Sequence, residues 1–213
     1  MNQASESKEY FQKVASGWDN LRKTFFFDCL GDRAIAVAKV TKQMTAVDVG
    51  CGTGFVSSGL VKVAGRVIGI DNSSKMLKVA QKNLSGYKNF STRLGEIENL
   101  PLAANSAERV FANMVLHHAF YPDRAIREWV RILKPNGILI ITDADQHHHQ
   151  WLKTEQHDLH LGFDRNQISQ WLKATGLKQV SVGSAQEKCC PTSQKGERVS
   201  ISIFLASGIK DKT

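Results

Sequence analysis

No apolar stretch in this 213-residue chain approaches the roughly 20 residues that a membrane-spanning helix needs. The opening decapeptide, MNQASESKEY, has no apolar segment of the kind a secretory leader carries. These two absences predict a cytoplasmic protein without membrane association. No block of Lys or Arg exceeds two residues, although the net charge is +8 and the sequence pI is near 9.4. The basic charge is therefore dispersed, as on a solvated surface, and a net charge of this kind bears on association and not on fold. A nucleic-acid partner is not expected. The four cysteines, Cys29, Cys51, Cys189 and Cys190, are too few and too irregular for a disulfide framework. Adjacent Cα atoms lie about 3.8 Å apart and a bridge prefers roughly 5.5–6 Å, which excludes an ordinary disulfide between Cys189 and Cys190. There is no internal repeat, no low-complexity tract and no linker, so one domain is expected over 1–213. A hydrophobic content of 42% is enough for a sizeable core.

What is present is an alternation of short apolar runs with amphipathic ones. Tyr10, Val14, Trp18, Leu21 and Phe25 recur at three- and four-residue spacing, which predicts a helix over 5–25, or two interrupted at Gly17. The run from Phe25 to Leu30, FFFDCL, is too apolar to stay in water and is expected to pack on the domain or cap a site. Strands are expected at 46–50, 66–71, 89–95, 109–116 and 138–143. Helices should fill 56–63, the segment after a cap at Ser73 or Ser74, and 122–133, with KPNG (134–137) as a turn. The strands are almost continuously apolar, as in a parallel sheet covered on both faces, and the alternation with helices predicts a doubly wound α/β fold. After a helix at 165–175, two strands at 177–184 and 199–207 with no helix between them predict an antiparallel pair. The sheet should thus have seven strands, mostly parallel with an antiparallel last strand. The expected parts are an N-terminal helical cap (1–43), a cofactor-binding core (44–143), and a substrate-side lid with the terminal strands (144–213).

The segment VDVGCGTGF, Val47 to Phe55, carries a glycine-rich turn at the end of the first strand, where open α/β sheets bind ligands. It lacks the Gly-Lys-Ser/Thr of a triphosphate loop. It also lacks the third glycine of G-x-G-x-x-G, since position 55 is Phe. Asp71 ends the neighbouring strand, where a carboxylate accepts hydrogen bonds from both hydroxyls of a ribose. A ribose acceptor beside a loop with little provision for phosphate fits a nucleoside without phosphates.

VDVGCGTGF, GIDNSSKML, GEIENLPL and RILKPNGILIITD, in this order and spacing, resemble the class I S-adenosylmethionine-dependent methyltransferases. The likeness spans about 44–143, and the two-strand ending agrees with it. The resemblance implies that S-adenosylmethionine is the cofactor. It implies that Gly50, Cys51, Gly52 and Gly54 let the backbone approach its methionyl part and that Asp48 reaches the ammonium through water. Asp71 would hold the ribose, and Asn72 and Met76 would lie by the adenine. Glu96 would receive the adenine amine, the Ile97 backbone would meet the ring, and the Asn113 carbonyl would contact the ammonium. Cys51 reads more simply as a small buried filler, and Met76 at least equally as core.

The Asn/Asp-Pro-Pro-Tyr/Phe sequence of amino-group methylases of this kind is missing after strand four, where the chain reads Asn113-Met114-Val115-Leu116. A small-molecule acceptor is therefore expected. RNA or protein methylation, and cofactor binding without catalysis, remain the alternatives. Five of the seven histidines fall in 147–160, where His149, Lys153, His157 and His160 would share a helical face. No H-E-x-x-H is present, and no metal is expected. His117 and His118 are the candidate general bases. Tyr10 and Trp18 are candidates to face the acceptor. Cys189 and Cys190 are candidate acceptor ligands in a loop between the last strands, with Cys29 as a third thiolate, since thiolates suit soft centres. Lys188 and Lys195 would then depress the thiol pKa values. The outer segments YFQKVASGWDNLR and DLHLGF…CC…SISIFLASG resemble arsenic-associated methyltransferases, which implies a thiol or metalloid acceptor. Oligomeric state is not legible.

Overall fold

The computed structural model describes residues 3–25 and 29–212. In chain order the elements are α1 (Gln3–Val14), α2 (Trp18–Phe25), α3 (Cys29–Ala38), β1 (Thr45–Val49), α4 (Phe55–Val63), β2 (Arg66–Asp71), α5 (Ser74–Asn83), β3 (Phe90–Leu94), β4 (Ala107–Asn113), α6 (Pro122–Ile132), β5 (Leu133–Ala144), α7 (Trp151–Glu155), α8 (Arg165–Ala174), β6 (Lys178–Cys189) and β7 (Ile201–Ile209). One seven-stranded sheet runs β3-β2-β1-β4-β5-β7-β6. Strands β1 to β5 pair in parallel, and β7 runs antiparallel to both β5 and β6. The expected doubly wound α/β sheet is therefore observed. Among the described residues no helix is long and apolar enough to cross a membrane.

Strand residues alternate between the two faces. On one face Val47, Val49, Val110, Ala112, Leu139 and Ile141 pack against Ile126 and Trp129 of α6 and Ile168 and Leu172 of α8. On the other, Ala46, Val67, Phe111 and Ile140 pack against Ala34 and Ala38 of α3 and Val56 and Leu60 of α4. Burying each large side chain of this kind contributes about 1.5–3 kcal/mol, so the sheet is fixed from both sides and its strand ends form a rigid rim. A third cluster (Leu30, Leu152, Ala185, Cys189, Ile201 and Ile203, with Phe25 and Phe55 against it) lies between the N-terminal helices and the last two strands.

Local chemistry explains most boundaries. Ser73 caps α5, its side chain accepting from the Met76 N–H, and Asp164 caps α8 by accepting from the Asn166 and Gln167 N–H groups. Both are N-cap residues of the preferred type. Pro122 opens α6, where its missing N–H costs nothing. Three expectations are corrected. Residues 134–137 form a bulge inside β5, with Asn136 at φ 61, and the pairing jumps from Leu133 to Ile138 while β4 advances from Ala107 to Arg109. The fourth strand ends at Asn113 and residues 116–118 form a 3-10 turn. Strand β6 continues to Cys189 through an irregularity between Ser184 and Lys188, so Cys189 ends a strand and does not lie in a loop. Of FFFDCL, positions 26–28 lie outside the described residues, while Phe25 packs on the third cluster.

Candidate active site

The order of the sheet changes direction between β1 and β4, and the carboxyl ends of these strands border a cavity of about 650 Å³. This is the crevice that an open α/β sheet reserves for ligands. Asp48, Gly50, Cys51, Gly52, Asp71, Asn72, Met76, Glu96, Ile97 and Asn113 line it. Gly54 does not. It precedes α4 at φ 93 and faces Leu84 and Ala80, so its role is to turn the chain into the helix.

The glycine turn is held by the acids around it. Asp71 accepts from the Gly52 N–H at 2.9 Å and from the Ser73 N–H at 2.8 Å, tying the loop after β1 to the loop after β2. Each carboxylate oxygen retains a further lone pair, so the group can still receive ribose hydroxyls. Asp48 accepts from the N–H and hydroxyl of Ser57, at 2.9 and 2.6 Å. It therefore anchors the first turn of α4 as well as lining the cavity. Glu96 accepts from Asn72 at 2.8 Å and from Lys8 at 3.2 Å. The Ile97 carbonyl accepts from Trp129 Nε1 at 2.8 Å, which fixes the 96–98 segment to α6. The Asn113 side chain accepts from Thr142 at 2.7 Å.

Burial pushes the Asp48 carboxyl up to about 7, against the Ser57 hydrogen bonds that lower it. Burial also pushes Asp71 up to about 6, against hydrogen bonds from Ser73 and Gly52. Because a native pKa raised above the unfolded value makes the folded chain bind more protons, these two groups stabilise the ligand-free fold at low pH. They lose that contribution as pH rises through about 6–7. A ligand that donates hydroxyls and an ammonium group needs both groups ionised, so its affinity has the opposite slope. Binding of S-adenosylhomocysteine should be constant near pH 8, weaken by up to about tenfold per unit between the two values, and by up to about 100-fold per unit below pH 6. Calorimetry at pH 8 and pH 5 checks this, and Asp71→Asn should flatten the lower limb.

The far end of the cavity is built from four separate segments. Tyr10, Phe11 and Trp18 of the N-terminal helices, with Phe25, wall it on one side. Phe11 stands edge-on to Trp18 and to His118, with ring centroids 5.3 and 5.0 Å apart. The cap is tied down where the Tyr10 hydroxyl donates to Gln156 at 2.9 Å and Thr53 donates to Asp19 at 2.5 Å. Opposite lies a polar cluster. His117 Nδ1 is 2.7 Å from Asp143 Oδ1, and its Nε2 is 3.8 Å from Asp158. His118 Nδ1 is 3.3 Å from the His157 carbonyl. Asp143, fully buried, also accepts from the Leu116 N–H at 2.8 Å and the Ala144 N–H at 2.8 Å. His147, His160 and Cys189 also line this end.

Neither candidate base titrates near the ordinary histidine value. Burial pushes His117 down, but Asp143 and Asp158 outweigh it and raise the group to about 9. Burial and the neighbouring His117 hold His118 well below its usual value. The expected helical face of His149, Lys153, His157 and His160 does not form. Helix α7 covers only Trp151–Glu155, and His157 at φ 59 turns the chain away.

The cysteines do not converge. Cys189 lines the cavity, but Cys190 does not. The Cys190 N–H donates to the Phe25 carbonyl at 2.6 Å. Cys29 is exposed and donates to Glu187 at 2.9 Å. The expected depression of the thiol pKa is reversed at Cys189, which burial, then Asp158, Cys190 and Asp143, push up to about 12. Sequence reasoning missed Asp143 and Asp158. Asp143 stands at a strand end, as Asp71 does, and the same rule would have found it.

Residues 47–141 match the methyltransferase-domain family model. A demethylmenaquinone methyltransferase of Desulfitobacterium hafniense is 28% identical over 151 residues, covering 67% of this chain and 60% of that protein. An arsenite methyltransferase of Halobacterium salinarum is 34% identical over 116 residues, 52% of this chain and 30% of that one. The chain thus spans less than two thirds of the length of these relatives. A putative methyltransferase of Haloferax volcanii, solved with its Trm112 activator, superposes with a TM-score of 0.75 at 19% identity, covering 94% of this chain and 97% of that one. Residues 47–141 are thus similar to methyltransferase domains, and the fold is shared with solved methyltransferases.

Proposed function

We propose that the protein transfers the sulfonium methyl group of S-adenosylmethionine to a small acceptor held between the aromatic cap and the His117–Asp158 cluster. The observation that carries this is one continuous cavity, with the ten lining residues expected for the cofactor at one end and a buried polar cluster at the other. Asp48 and Asn113 would serve the methionyl group, Asp71 the ribose, and Asn72, Met76, Glu96 and Ile97 the adenine. The reaction is an in-line displacement. A lone pair of the acceptor forms a bond to the methyl carbon, and the carbon–sulfur bond breaks with its electron pair returning to sulfur. The cofactor supplies the reactive group, and the chain supplies orientation and exclusion of water.

The relatives act on two unlike acceptors, demethylmenaquinone and arsenite. The cavity geometry supports an organic acceptor with an apolar body. Its wall is aromatic, and Cys189 packs among Leu30, Leu152 and Ile201 as a small apolar filler. With Cys190 and Cys29 outside the cavity, a set of three thiolates has no geometric support. The test is acceptor-dependent release of S-adenosylhomocysteine from a panel of aromatic hydroxyls, thiols and arsenite. Aromatic hydroxyls are expected to be turned over. Cys29→Ser and Cys190→Ser should leave turnover within about twofold of wild type, as surface substitutions do. Arsenite should leave the Trp18 fluorescence unchanged in wild type and in Cys189→Ser/Cys190→Ser alike. Arsenite quenching confined to wild type would return the acceptor to the metalloids.

A further inference from the structure

We infer that His117, His118 and Asp158 form a binding site for a divalent transition-metal ion at the acceptor end of the cavity. One ring nitrogen of each histidine and one Asp158 oxygen lie within 4.8 Å of one another. They come from two separate segments, the 3-10 turn after β4 and the loop after α7. Bonds of about 2.0–2.2 Å place neighbouring ligand atoms on such an ion roughly 3.4 Å apart. The His117–Asp158 separation of 3.8 Å is already close to that, and a small side-chain rotation brings in the rest.

The surroundings of the three residues are those of metal ligands. A metal-binding histidine gives its second ring nitrogen to a carboxylate or carbonyl, which fixes the ring and its tautomer. Both histidines do so here, His117 through Nδ1 to Asp143 and His118 through Nδ1 to the His157 carbonyl. With His117 giving up its Nε2 proton as the ion binds, the lone pair of each ring is left on Nε2. Asp143 is itself immobilised by backbone N–H groups of Leu116 and Ala144. Among the described residues the Asp158 carboxylate makes no hydrogen bond, and its ion-pair contact is with His117. It is a largely enclosed acceptor facing two imidazoles, and a cation between them would satisfy it. Two imidazoles and one carboxylate suit zinc, iron(II) or cobalt(II) better than magnesium or calcium, which prefer oxygen. Three protein ligands leave coordination positions open, as in catalytic sites.

The role of the ion rests on the methyl-transfer reading. An acceptor hydroxyl or thiol coordinates as its conjugate base and releases its proton to solvent. A lone pair on the same oxygen or sulfur then attacks the methyl carbon. The ion thereby supplies the activation that neither histidine provides alone. This departs from the sequence, in which no metal-ligand spacing is visible because the ligands are paired only by folding.

The experiment is a titration of cobalt(II) into the full metal-free chain, read by visible absorption, with and without S-adenosylhomocysteine. A saturable d–d band at one ion per chain is expected. Asp158→Asn and His118→Ala should each weaken the cobalt affinity by at least about tenfold, and Asp143→Asn by roughly 10- to 100-fold. Each variant should keep the wild-type affinity for S-adenosylhomocysteine, which shows that it has folded. The inference is overturned by the absence of a band, by a band unchanged in Asp158→Asn, or by a thiolate charge-transfer band that vanishes in Cys189→Ser. Cobalt binding without S-adenosylhomocysteine binding supports the ion site and removes the methyl-transfer reading. The reverse pattern removes the ion site alone.

Discussion

Gly50→Ala is expected to cost the protein both its cofactor and a large share of its stability. Gly50 sits at φ +64, and a Cβ there would overlap Val115 Cγ2 and stand 2.9 Å from Val115 Cβ. The backbone conformation alone costs roughly 1–2 kcal/mol for an alanine. Val115 opens the turn that carries His117 and His118, so it cannot retreat without moving the polar cluster. A total near 3–4 kcal/mol is expected, in the range of overpacked cores. Cofactor affinity should fall more than about 100-fold. Gly52→Ala is the informative contrast. It shares the positive φ, at +52, but its Cβ would meet only Trp18, at 3.6 Å. It should lose about 1–2 kcal/mol of stability. Any loss of affinity in excess of that reports a methyl group placed against the ligand. Thermal unfolding with and without S-adenosylhomocysteine separates the two costs. An affinity of Gly52→Ala for S-adenosylhomocysteine equal to that of wild type would show that the loop does not approach a ligand at Gly52.

Asp71→Ala should lower affinity for S-adenosylmethionine by roughly 30- to 150-fold, about 2–3 kcal/mol. The carboxylate serves two purposes, and the substitution removes both. The proposed ribose acceptor goes, and the Gly52 and Ser73 N–H groups lose their partner. Asp71→Asn keeps an acceptor for one of these donors and should lose less. Calorimetric titration with Asp71→Ala indistinguishable from wild type would sink the ribose assignment.

That the glycine turn, Asp71 and the 96–97 segment line one cavity was legible because these residues are local. The glycine turn, Asp71 and the 96–97 segment each follow a strand end within a few residues, and the spacing of strands and helices fixes where those ends meet. The same reasoning placed Ser73 or Ser74 at the head of α5, and Ser73 is the cap. The acceptor half was not legible in the same way. His117 was placed by following strand four, but its partners Asp143 and Asp158 lie 26 and 41 positions away (117 to 143, 117 to 158). No sequence spacing relates them. Helix α3 was missed although Leu30, Ala34 and Ala38 recur at intervals of four and are buried. The expected depression of the thiol pKa is reversed at Cys189 for a physical reason. A thiol pKa depends on what surrounds it in space, and Cys189 is enclosed by apolar side chains and two acids rather than by the neighbouring lysines.

The most direct test of methyl-donor recognition is calorimetric titration of S-adenosylmethionine into the metal-free wild-type chain, with NAD and ATP as controls. Saturable binding of one S-adenosylmethionine per chain, micromolar or tighter, with no heat from NAD or ATP, is the expected result. No binding of S-adenosylmethionine, or comparable binding of NAD or ATP in competition with it, would contradict the assignment.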